Sequence, residues 1–506
     1  MRHRRWVVLV AAGTLASACG STVQVRSAGE QAGAPDASGL GQVSPGAATG
    51  AGSTTGSLGG GSTGSVSGGI QGGTAAPATT GTPSSSSAPQ VTGGAAGRPA
   101  NVPGVTDTTL KLGVKYFSTA QLGAFADSVG VKAVGSTDQL ETYQVAADYV
   151  NRHGGVAGGR KIVIVARERS TSESVSEAGQ ASCAKFAEDD HVFAANADLT
   201  EDSPLVPCLA KHGVVSVTGG LVEAGSRDDF ARYPGLYLGP STMETVGAAD
   251  AYVDALVRQG LLTRNSTVGL LWFDFADFVV ARKAGLLPAL ARHGIRLKTE
   301  FQAHYSGSAS DLGSIASQMQ SAELRFRAAG VDRVVSLDYQ GTLLFFFMQQ
   351  AQQQGYHPRY GLATWHDLEF LVANGLGPQL AGASGIGWLP AYDVDTQHQP
   401  KTTPMTQCLA LMRSRGMTVT AQGDLILQYD ACARVFFLKA LLDKARDLHP
   451  AGLRAALDAL GQQPSYAGFG DRFAITRPWG AAVYRDLYFD GSCSCGTYRG
   501  PDQRFP

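Results

Sequence analysis

The chain has 506 residues, of which 16% are charged, and its formal net charge at pH 7 is −1. This balance argues against a nucleic-acid-binding protein, because such proteins carry a basic face. No apolar run reaches about twenty residues, the length that a helix needs to span a bilayer. The composition therefore disfavours both nucleic-acid-binding proteins and proteins with membrane-spanning helices.

The N-terminal residues have the layout of a secretory signal peptide. An arginine-rich start is followed by the uncharged stretch 6–18 and then by Cys19. The run 15–19 resembles a lipobox, in which Cys19 would carry the lipid, although Ala16 stands where that pattern prefers leucine. The alternative is ordinary cleavage nearby, with Cys19 left as a spare thiol. We predict a lipoprotein signal peptide over residues 1–19.

Residues 20–104 consist mainly of glycine, serine, threonine, alanine and proline, and no aromatic residue occurs between Trp6 and Tyr116. Such a stretch cannot bury enough apolar surface to offset the entropy of ordering. We predict a disordered tether whose mean span, for about eighty residues, is roughly 50 Å. A glycosylated stalk is the alternative, because serine and threonine are plentiful and proline is interspersed.

Globular sequence begins near Val105, with a first strand at 110–114 and a loop and turn at 116–130. Apolar residues at helical spacing predict a helix from Gln139 that ends at Gly154-Gly155. The almost continuously apolar stretch 161–165 is typical of a strand buried on both faces. A helix at 175–189, a strand at 192–195, a helix at 204–212 and a strand at 214–217 follow. This alternation predicts a parallel, doubly wound sheet.

The alternation then restarts, which predicts a second sheet of the same type. The predicted elements are a helix at 242–260, a strand at 268–272, a helix at 279–293, a strand at 297–301, a helix at 312–329, a strand at 333–337, a helix at 343–355 and a strand at 360–363. Two such series in about 400 globular residues predict two α/β domains.

The segment 146–162, AADYVNRHGGVAGGRKI, resembles the first helix and second strand of the type I periplasmic binding proteins. The resemblance is to the branched-chain amino-acid (leucine-binding) family of ABC transporter receptors, and it extends over roughly residues 106–498. It implies two Rossmann-like lobes joined by three hinge crossovers, near Pro240, Ala383 and Gly480.

The resemblance also implies how the chain is divided between the lobes. The N-terminal lobe would comprise 105–240 and 384–480, and the C-terminal lobe 241–383 and 481–506. The returning part of the N-terminal lobe would contain the stretch 386–392, helices at 403–415, 423–447 and 450–461, and a strand at 473–476.

The cysteines other than Cys19 number six, and an even number in an exported chain predicts disulfides rather than a metal site. Local grouping favours Cys183 with Cys208 and Cys408 with Cys432. Cys493 and Cys495 would bridge each other or form a C-x-C metal pair, and the lack of a nearby histidine in the sequence disfavours metal.

Ligands of open parallel sheets bind beyond the carboxyl ends of the strands, so the residues that follow each strand are the candidates for a binding site. The candidates are Tyr116, Phe117, Asp198, Thr200, Thr218, Gly219, Gly220, Phe275, Phe278, Asp338, Tyr339, Trp365, His366 and Asp367. They form two lips that would face each other across a cleft.

The resemblance assigns roles to some of these residues. The loops 198–200 and 218–220 would hold the carboxylate of an amino-acid ligand, and Phe278, or else Phe275, would supply an aromatic wall. Asp367 would hold the ammonium group. For the glycines the alternative is a turn needed only for geometry, and for the loop aromatics it is packing of a lid.

A second possible anion is Asp338, beside Tyr339, which could stack on the ligand or cap it. The sequence contains no H-E-x-x-H metalloprotease motif, and the glycine-rich stretch 154–161 is not followed by the serine or threonine of a phosphate loop. We therefore expect no enzyme, cofactor or metal.

The sequence thus predicts a lipid-anchored, extracytoplasmic solute-binding protein on the outer face of the cytoplasmic membrane. It would capture a small, polar, amino-acid-like metabolite and present it to an ABC permease, with no nucleic-acid partner. The alternatives are a sensor of the same fold that signals to a membrane partner, and a cell-wall interaction protein that has lost the pocket.

Overall fold

The computed structural model describes residues 102–506 except 133–134, 198–203 and 220–223. The predicted signal peptide with Cys19 and almost all of the predicted tether lie outside the described residues. The described residues belong to one compact unit. Among them, no helix has both the length and the apolar character required to cross a bilayer.

The strands of the described residues form two larger sheets and two small two-stranded ones. In chain order they are β1 (Thr109–Tyr116), β2 (Lys161–Glu168), β3 (Ala194–Asn196), β4 (Val215–Val217), β5 (Ala224–Gly225), β6 (Tyr237–Leu238), β7 (Met243–Glu244), β8 (Val268–Phe273), β9 (Leu297–Ala303), β10 (Arg333–Leu337), β11 (Arg359–Ala363), β12 (Ser384–Gly387), β13 (Gln462–Gln463), β14 (Asp471–Arg472), β15 (Val483–Asp490) and β16 (Cys495–Arg504).

The helices alternate with the strands along most of the chain. In chain order they are α1 (Thr119–Val129), α2 (Gln139–Arg152), α3 (Val175–Cys183), α4 (Leu205–Lys211), α5 (Arg227–Arg232), α6 (Thr245–Arg258), α7 (Ala276–Val280), α8 (Leu287–Arg292), α9 (Leu312–Ala328), α10 (Thr342–Gln353), α11 (Leu368–Ala373), α12 (Pro390–Asp393), α13 (Thr403–Arg413), α14 (Gln422–Lys444) and α15 (Pro450–Leu460). Single π-helical turns follow α3 and separate α7 from α8.

The first sheet has the strand order β2-β1-β3-β4-β6, and all its described pairings are parallel. The second has the order β16-β15-β12-β11-β10-β8-β9, in which the C-terminal hairpin β15–β16 is antiparallel and the other strands are parallel. Each sheet and the helices packed on it form a lobe, here the first and second lobe. These parallel sheets confirm the predicted α/β fold class.

Helix α2 and strand β2 show how local sequence builds the first lobe. Asp138 accepts a hydrogen bond from the backbone N–H of Glu141 (2.9 Å) and so caps α2. The Asn151 side chain bonds both the N–H and the C=O of Ile162, at 2.7 and 2.9 Å, and thereby fixes the helix on the strand. However, β2 is the edge strand of its sheet and Val163 is 42% exposed, so the predicted burial on both faces is wrong.

Residues 116–130 differ from the predicted loop and turn, because they contain the helix α1. Ser118 precedes the helix in an extended conformation, and Gly130 ends it in the left-handed region with φ 68°. A glycine at this position is a common helix stop, since it has no Cβ to clash. The two ends therefore carried a helix signal that the sequence prediction did not use.

The second crossover lies further along the chain than predicted. Residues 384–387, which were assigned to the first lobe, form β12, which pairs parallel with β11 and antiparallel with β15 in the second sheet. The chain then runs past α12, which contacts both α11 and α14, to α13, which packs on α2 and α14 in the first lobe. Residues 388–402 therefore form this crossover. The predicted strand at 473–476 is also absent from the described first sheet, and Ala474 and Arg477 close a tight turn there.

The other two crossover segments run side by side. The N–H of Gly239 donates to the C=O of Pro478 (3.0 Å), and the N–H of Gly480 donates to the C=O of Gly239 (2.6 Å). Beside them, the buried Asp471 accepts hydrogen bonds from the N–H and the hydroxyl of Ser241, both at 3.2 Å. The hinge strands are thus bonded to each other rather than only to the lobes.

Three disulfides join cysteines in the pairs that the sequence favoured. Cys183–Cys208 links α3 to α4 and Cys408–Cys432 links α13 to α14, each with a Cα–Cα distance of 6.1 Å. Cys493–Cys495 closes the turn between β15 and β16, with a Cα–Cα distance of 5.2 Å.

Candidate functional site

A cleft with a volume of about 380 Å³ lies between the carboxyl ends of the two sheets. Eight aromatic side chains, drawn from both lobes, line it: Tyr116, Phe117, Tyr305, Tyr339, Phe345, Phe346, Phe370 and Tyr392. Aliphatic side chains, Leu122, Val131, Leu312, Ile426 and Leu427, fill the gaps between the rings. The cleft therefore offers a large apolar surface, as ligand pockets in proteins generally do.

Nine polar side chains also line the cleft. They are Lys115, Gln139, Arg169, Thr171, Asn196, Gln340, Thr342, Asp367 and Arg434. Three of them, Lys115, Arg169 and Arg434, are cationic residue types, and one, Asp367, is acidic.

Arg169 follows directly after β2 and lies at the mouth of the cleft. Its guanidinium carbon is 5.1 Å from the centre of the Phe117 ring, a cation–π arrangement that fixes the plane of the group. Nη2 donates to the backbone C=O groups of Glu173 and Gly307, both at 3.3 Å. Nε is buried and has no hydrogen-bond partner among the described residues. One N–H of a positioned cation is therefore unused.

Arg434, on α14, lines the opposite part of the cleft and has a different environment. Its Nε donates to Asp430 Oδ1 at 2.7 Å and its Nη1 to the C=O of Val217 at 2.6 Å. The hydroxyl of Tyr143 donates to the other Asp430 oxygen, also at 2.6 Å. Both members of the pair are buried. Asp430 therefore compensates the charge of Arg434 within the fold.

Asp367 also lines the cleft, but its carboxylate holds the protein together. Oδ1 accepts hydrogen bonds from Gln422 Nε2 (2.6 Å) and from the N–H of Phe370 (3.2 Å), which caps α11. Burial raises the pKa of Asp367 to about 7, although the hydrogen bonds from Gln422 and Phe370 oppose the rise. The raised pKa makes the carboxylate a weaker anion at neutral pH.

Of the predicted site residues, the structure brings Tyr116, Phe117, Tyr339 and Asp367 together in the cleft. Their role in binding stays a prediction. Asp198, Thr200 and Gly220 lie outside the described residues. The remaining seven predicted residues do not line the cleft, and each has a structural contact that accounts for its place.

Asp338 caps helix α10 and does not face the cleft. Its carboxylate accepts hydrogen bonds from the backbone N–H groups of Tyr339, Leu343 and Leu344, at 2.7, 2.9 and 3.0 Å. Its burial raises the pKa of the carboxyl to about 7. The acidic residue after β10 was therefore a helix cap, a role that a sequence cannot distinguish from a ligand-binding one.

Trp365 and His366 belong to the core of the second lobe. His366 is buried, its Nδ1 accepts the N–H of Ala363 (2.7 Å), and burial lowers the pKa of the imidazole to about 3. Trp365 donates its indole N–H to the C=O of Ser336 (3.1 Å). Both side chains are consequently neutral packing groups.

Phe275 and Phe278 stand behind the cleft wall. The Phe275 ring stacks on Phe273 at 4.9 Å between ring centres and meets the edge of Tyr339 at 6.3 Å. Phe278 stacks on Phe275 at 5.8 Å. The predicted aromatic residues thus support the ring of Tyr339, which lines the cleft.

Thr218 and Gly219 lie beside the first hinge segment. Thr218 is buried and its N–H donates to the C=O of Leu238 (2.8 Å). Gly219 has φ 115°, and a Cβ there would collide with the C=O of Pro240. The alternative reading of this glycine, a turn required by geometry, accounts for it.

The lips of the cleft touch each other. The Ser308 hydroxyl of the second lobe donates to the C=O of Ser172 (3.2 Å), and the N–H of Val175 donates to the C=O of Ser306 (3.0 Å). The contact of Arg169 with Gly307 joins the same two loops. The structure therefore has the closed arrangement, and a ligand would enter by movement at the hinge.

Several cleft residues were missed by the sequence prediction. Arg169 and Tyr305 follow the ends of β2 and β9, so the rule for strand ends would have found them if it had been applied to every strand. Phe345 and Phe346 lie on α10, where apolar residues indicate a packing face. Arg434 lies in the middle of α14, and no local signal links it to the cleft.

The sequence model of a family described as "Periplasmic binding protein" matches residues 119–489. This chain belongs to that family. The members of this family are binding proteins. A comparison with curated protein sequences found no match.

Solved structures of other periplasmic binding proteins share the fold. A solute-binding protein from R. palustris in complex with 4-hydroxybenzoate has a TM-score of 0.58 and 13% identity, over 79% of this chain and 98% of that one. A fatty acid ABC transporter substrate-binding protein from Thermomonospora curvata has a TM-score of 0.56 and 15% identity, over 80% and 95%. One from Desulfitobacterium hafniense in complex with Leu has a TM-score of 0.51 and 16% identity, over 77% and 100%.

Proposed function

We propose that this periplasmic binding protein captures a small carboxylate with an aromatic or other apolar body and presents it to an ABC permease. The observation that carries the proposal is the presence in one cleft of Arg169, which pairs with no carboxylate among the described residues, and of eight aromatic side chains. A guanidinium is suited to carboxylates, because it offers planar, paired donors.

The dimensions of the cleft fit a ligand of this class. About 380 Å³ lies within the usual range for small-molecule sites and holds a body of one or two rings or a short acyl chain. Burial of that body against Phe117, Tyr305 and Phe345 would supply most of the binding free energy, at about 25 cal/mol per Å² of apolar surface. Arg169 would fix the orientation of the acid group.

A zwitterionic amino acid, which the sequence favoured, is the second candidate. The observation that favours it is the position of Asp367 in the cleft, within reach of a bound ammonium group. Against it, Gln422 and Phe370 already bond Asp367, and its raised pKa weakens the anion. The solved relatives bind both kinds of molecule, since their names include a fatty acid, 4-hydroxybenzoate and leucine.

Titration calorimetry with matched ligands separates the two candidates. We expect 4-hydroxybenzoate and octanoate to bind at least about tenfold more tightly than their methyl esters, because only the acids can pair with Arg169. Leucine should bind more weakly than either acid. A preference for leucine, with benzoates and octanoate inert, would replace the proposed ligand class by the amino-acid class.

We also propose that Cys19 carries a lipid that keeps the protein on the outer face of the cytoplasmic membrane. The support is the signal-like start of the sequence and the family itself, whose members act outside the cytoplasm. Metabolic labelling with an alkyne fatty acid should mark the full chain and leave Cys19→Ser unlabelled. Equal labelling of both proteins would disprove the anchor without affecting the proposal for the cleft.

Two alternative partners would recognise the closed form: a permease, in transport, or a signalling protein, in sensing. Vesicles with a reconstituted permease would accumulate the ligand only when the binding protein is added, if transport is its role. Binding without any stimulated uptake would favour a sensor.

A further inference from the structure

The turn between β15 and β16 holds a disulfide unlike the other two. Cys493 and Cys495 are two residues apart in the sequence, whereas the partners in the other pairs are separated by 25 and 24 residues. A disulfide stabilises a fold mainly by closing a long loop in the unfolded chain, so this one contributes little by that route. Its place in the structure calls for a reason other than stability.

The two sulfur atoms of this pair have opposite surroundings. Cys493 is exposed, whereas Cys495 is buried, with 3% of its surface accessible. Between them Ser494 has φ 52°, in the left-handed region that non-glycine residues avoid. A reagent in solution can therefore reach Cys493, and the chain between the sulfurs gains freedom when the ring opens.

A histidine and a carboxylate lie beside the buried sulfur. The side-chain nitrogen of His398, a carboxylate oxygen of Asp395 and Cys495 Sγ all lie within 4.8 Å of one another. His398 Nδ1 is 2.8 Å from Asp395 Oδ2. Although burial opposes it, hydrogen bonds from His398 and from backbone N–H groups hold the pKa of Asp395 below its usual value. An ionised carboxylate thus orients the imidazole next to Cys495.

We propose that Cys493–Cys495 is a thiol–disulfide exchange site, in which Cys493 is the sulfur attacked and Cys495 is the leaving group beside His398. A thiolate from solution attacks Cys493 Sγ and forms a mixed disulfide, while the Cys493–Cys495 bond breaks. Its electron pair stays on Cys495 Sγ, where the neighbouring imidazole of His398 stabilises the new thiolate by a hydrogen bond. Leaving thiols depart faster when their thiolate is stabilised.

The mixed disulfide can react in two ways, and both are thiol–disulfide exchange reactions. Cys495 returns to Cys493 and expels the incoming thiol, which restores the disulfide. Otherwise a second thiolate attacks the mixed disulfide, so that two external thiols are oxidised to a disulfide and the two cysteines are reduced. The co-reactant is a thiol, from either a small molecule or a protein.

The site borders a hinge. Asp395 and His398 belong to the segment 388–402, which leads from β12 in the second sheet to α13 in the first lobe. Thiol–disulfide exchange at the turn therefore takes place next to the segment that joins the two lobes.

The test follows the three disulfides in the full chain during reduction by dithiothreitol, with alkylation at intervals and peptide mass spectrometry. We expect Cys493–Cys495 to open at least about tenfold faster than Cys408–Cys432, whose sulfur-bearing residues are 1% and 0% exposed. Cys183–Cys208 should fall between them, because Cys208 is half-buried although His212 lies nearby.

Two histidine variants isolate the leaving-group effect. His398→Gln should slow the opening about three- to tenfold, because the Cys495 thiolate loses its neighbour. His449→Gln is the matched control, since His449 pairs with Asp447 at 2.7 Å in the same way but does not lie in the group with Cys495. The rate with this control should equal that of the wild-type protein.

Two results would overturn the proposal. One is opening of Cys493–Cys495 no faster than that of Cys408–Cys432, and the other is a wild-type rate in His398→Gln with an unchanged melting temperature. If His398→Gln alters the melting temperature, Asp395→Asn replaces it as the test and should slow the opening less. Comparison of free cysteine with a protein dithiol of the thioredoxin type then identifies the source of the thiol.

Discussion

Two arginines line the cleft, and their surroundings separate a structural charge from one available to a ligand. Arg434 lies on α14 beside Asp430, and every contact described for its guanidinium serves the fold. Arg169 lies after β2, stacks on Phe117, and keeps a buried Nε without a partner among the described residues. Both are arginines, so residue type alone does not identify a binding group. We expect Arg169, which has no carboxylate partner among the described residues, to be the one that binds the ligand.

The largest effect on stability should come from breaking the buried ion pair between Asp430 and Arg434. Asp430→Ala leaves the buried Arg434 without its counter-charge and removes the acceptor of Tyr143, so we expect a loss of about 3–5 kcal/mol in the free energy of unfolding. Denaturant titration measures it. Asp250→Ala, which breaks an exposed pair with Arg292, is the control and should cost less than about 1 kcal/mol. Similar losses in both variants would remove the distinction between the arginines.

Arg169→Gln should weaken binding rather than folding. We expect the affinity for an aromatic carboxylate to fall about 10- to 100-fold, because a hydrogen bond to a charged group is worth about 1.5–3 kcal/mol. The melting temperature should change little. Arg167→Gln is the matched control, since Arg167 bonds Glu173 at 3.0 Å and does not line the cleft. Equal affinities of the two variants would contradict the role of Arg169.

A buried carboxylate without a cation extends the comparison. Burial raises the pKa of Asp393 to about 8, although hydrogen bonds from Tyr498 and Thr364 oppose the rise. Because the folded state holds this proton more tightly than the unfolded state, the free energy of unfolding should fall as the pH rises from about 4 to about 8. Asp393→Asn should make this slope shallower, by up to about 1.4 kcal/mol per pH unit, because one of the buried carboxyl groups no longer titrates.

Denaturant titrations at several pH values check this prediction. Asp447→Asn, at an exposed site, is the control and should leave the slope over this range unchanged. Equal slopes in Asp393→Asn and in the wild-type protein would contradict the assignment to Asp393.

The smallest effect concerns the contact between the lips. Ser308→Ala removes the hydrogen bond to the C=O of Ser172 and should weaken ligand affinity about two- to fivefold, because the closed form loses about 0.5–1 kcal/mol. Ser321→Ala, which removes a hydroxyl bond within α9, serves as the control. If Ser308→Ala and Ser321→Ala differ in melting temperature but bind the ligand with equal affinity, the Ser308 contact has no part in closure.

The sequence predicted the second sheet better than its connections. Strand β10 has the predicted bounds 333–337, because a buried β-branched run between helices has few other solutions. The sequence did not reveal that β12 stays in the second sheet, since strand partners depend on contacts made far along the chain. The helix α1 was missed although Gly130 marks its end.

The candidate site was predicted only in part, for a physical reason. The rule for strand ends located Tyr116, Phe117 and Tyr339, which lie at or just after the carboxyl ends of strands and line the cleft. It also selected Asp338 and His366, whose caps and core contacts appear only in three dimensions. Residues on helices, such as Phe345, carry the same apolar pattern whether they pack in the core or face a ligand.

The most direct test of the account is a crystal structure of the protein with a bound aromatic carboxylate. The account predicts a carboxylate oxygen about 3 Å from Arg169 Nε and the ring of the ligand among Phe117, Tyr305 and Phe345. A ligand whose acid group lies away from Arg169, or one held by an ammonium group at Asp367, would contradict it.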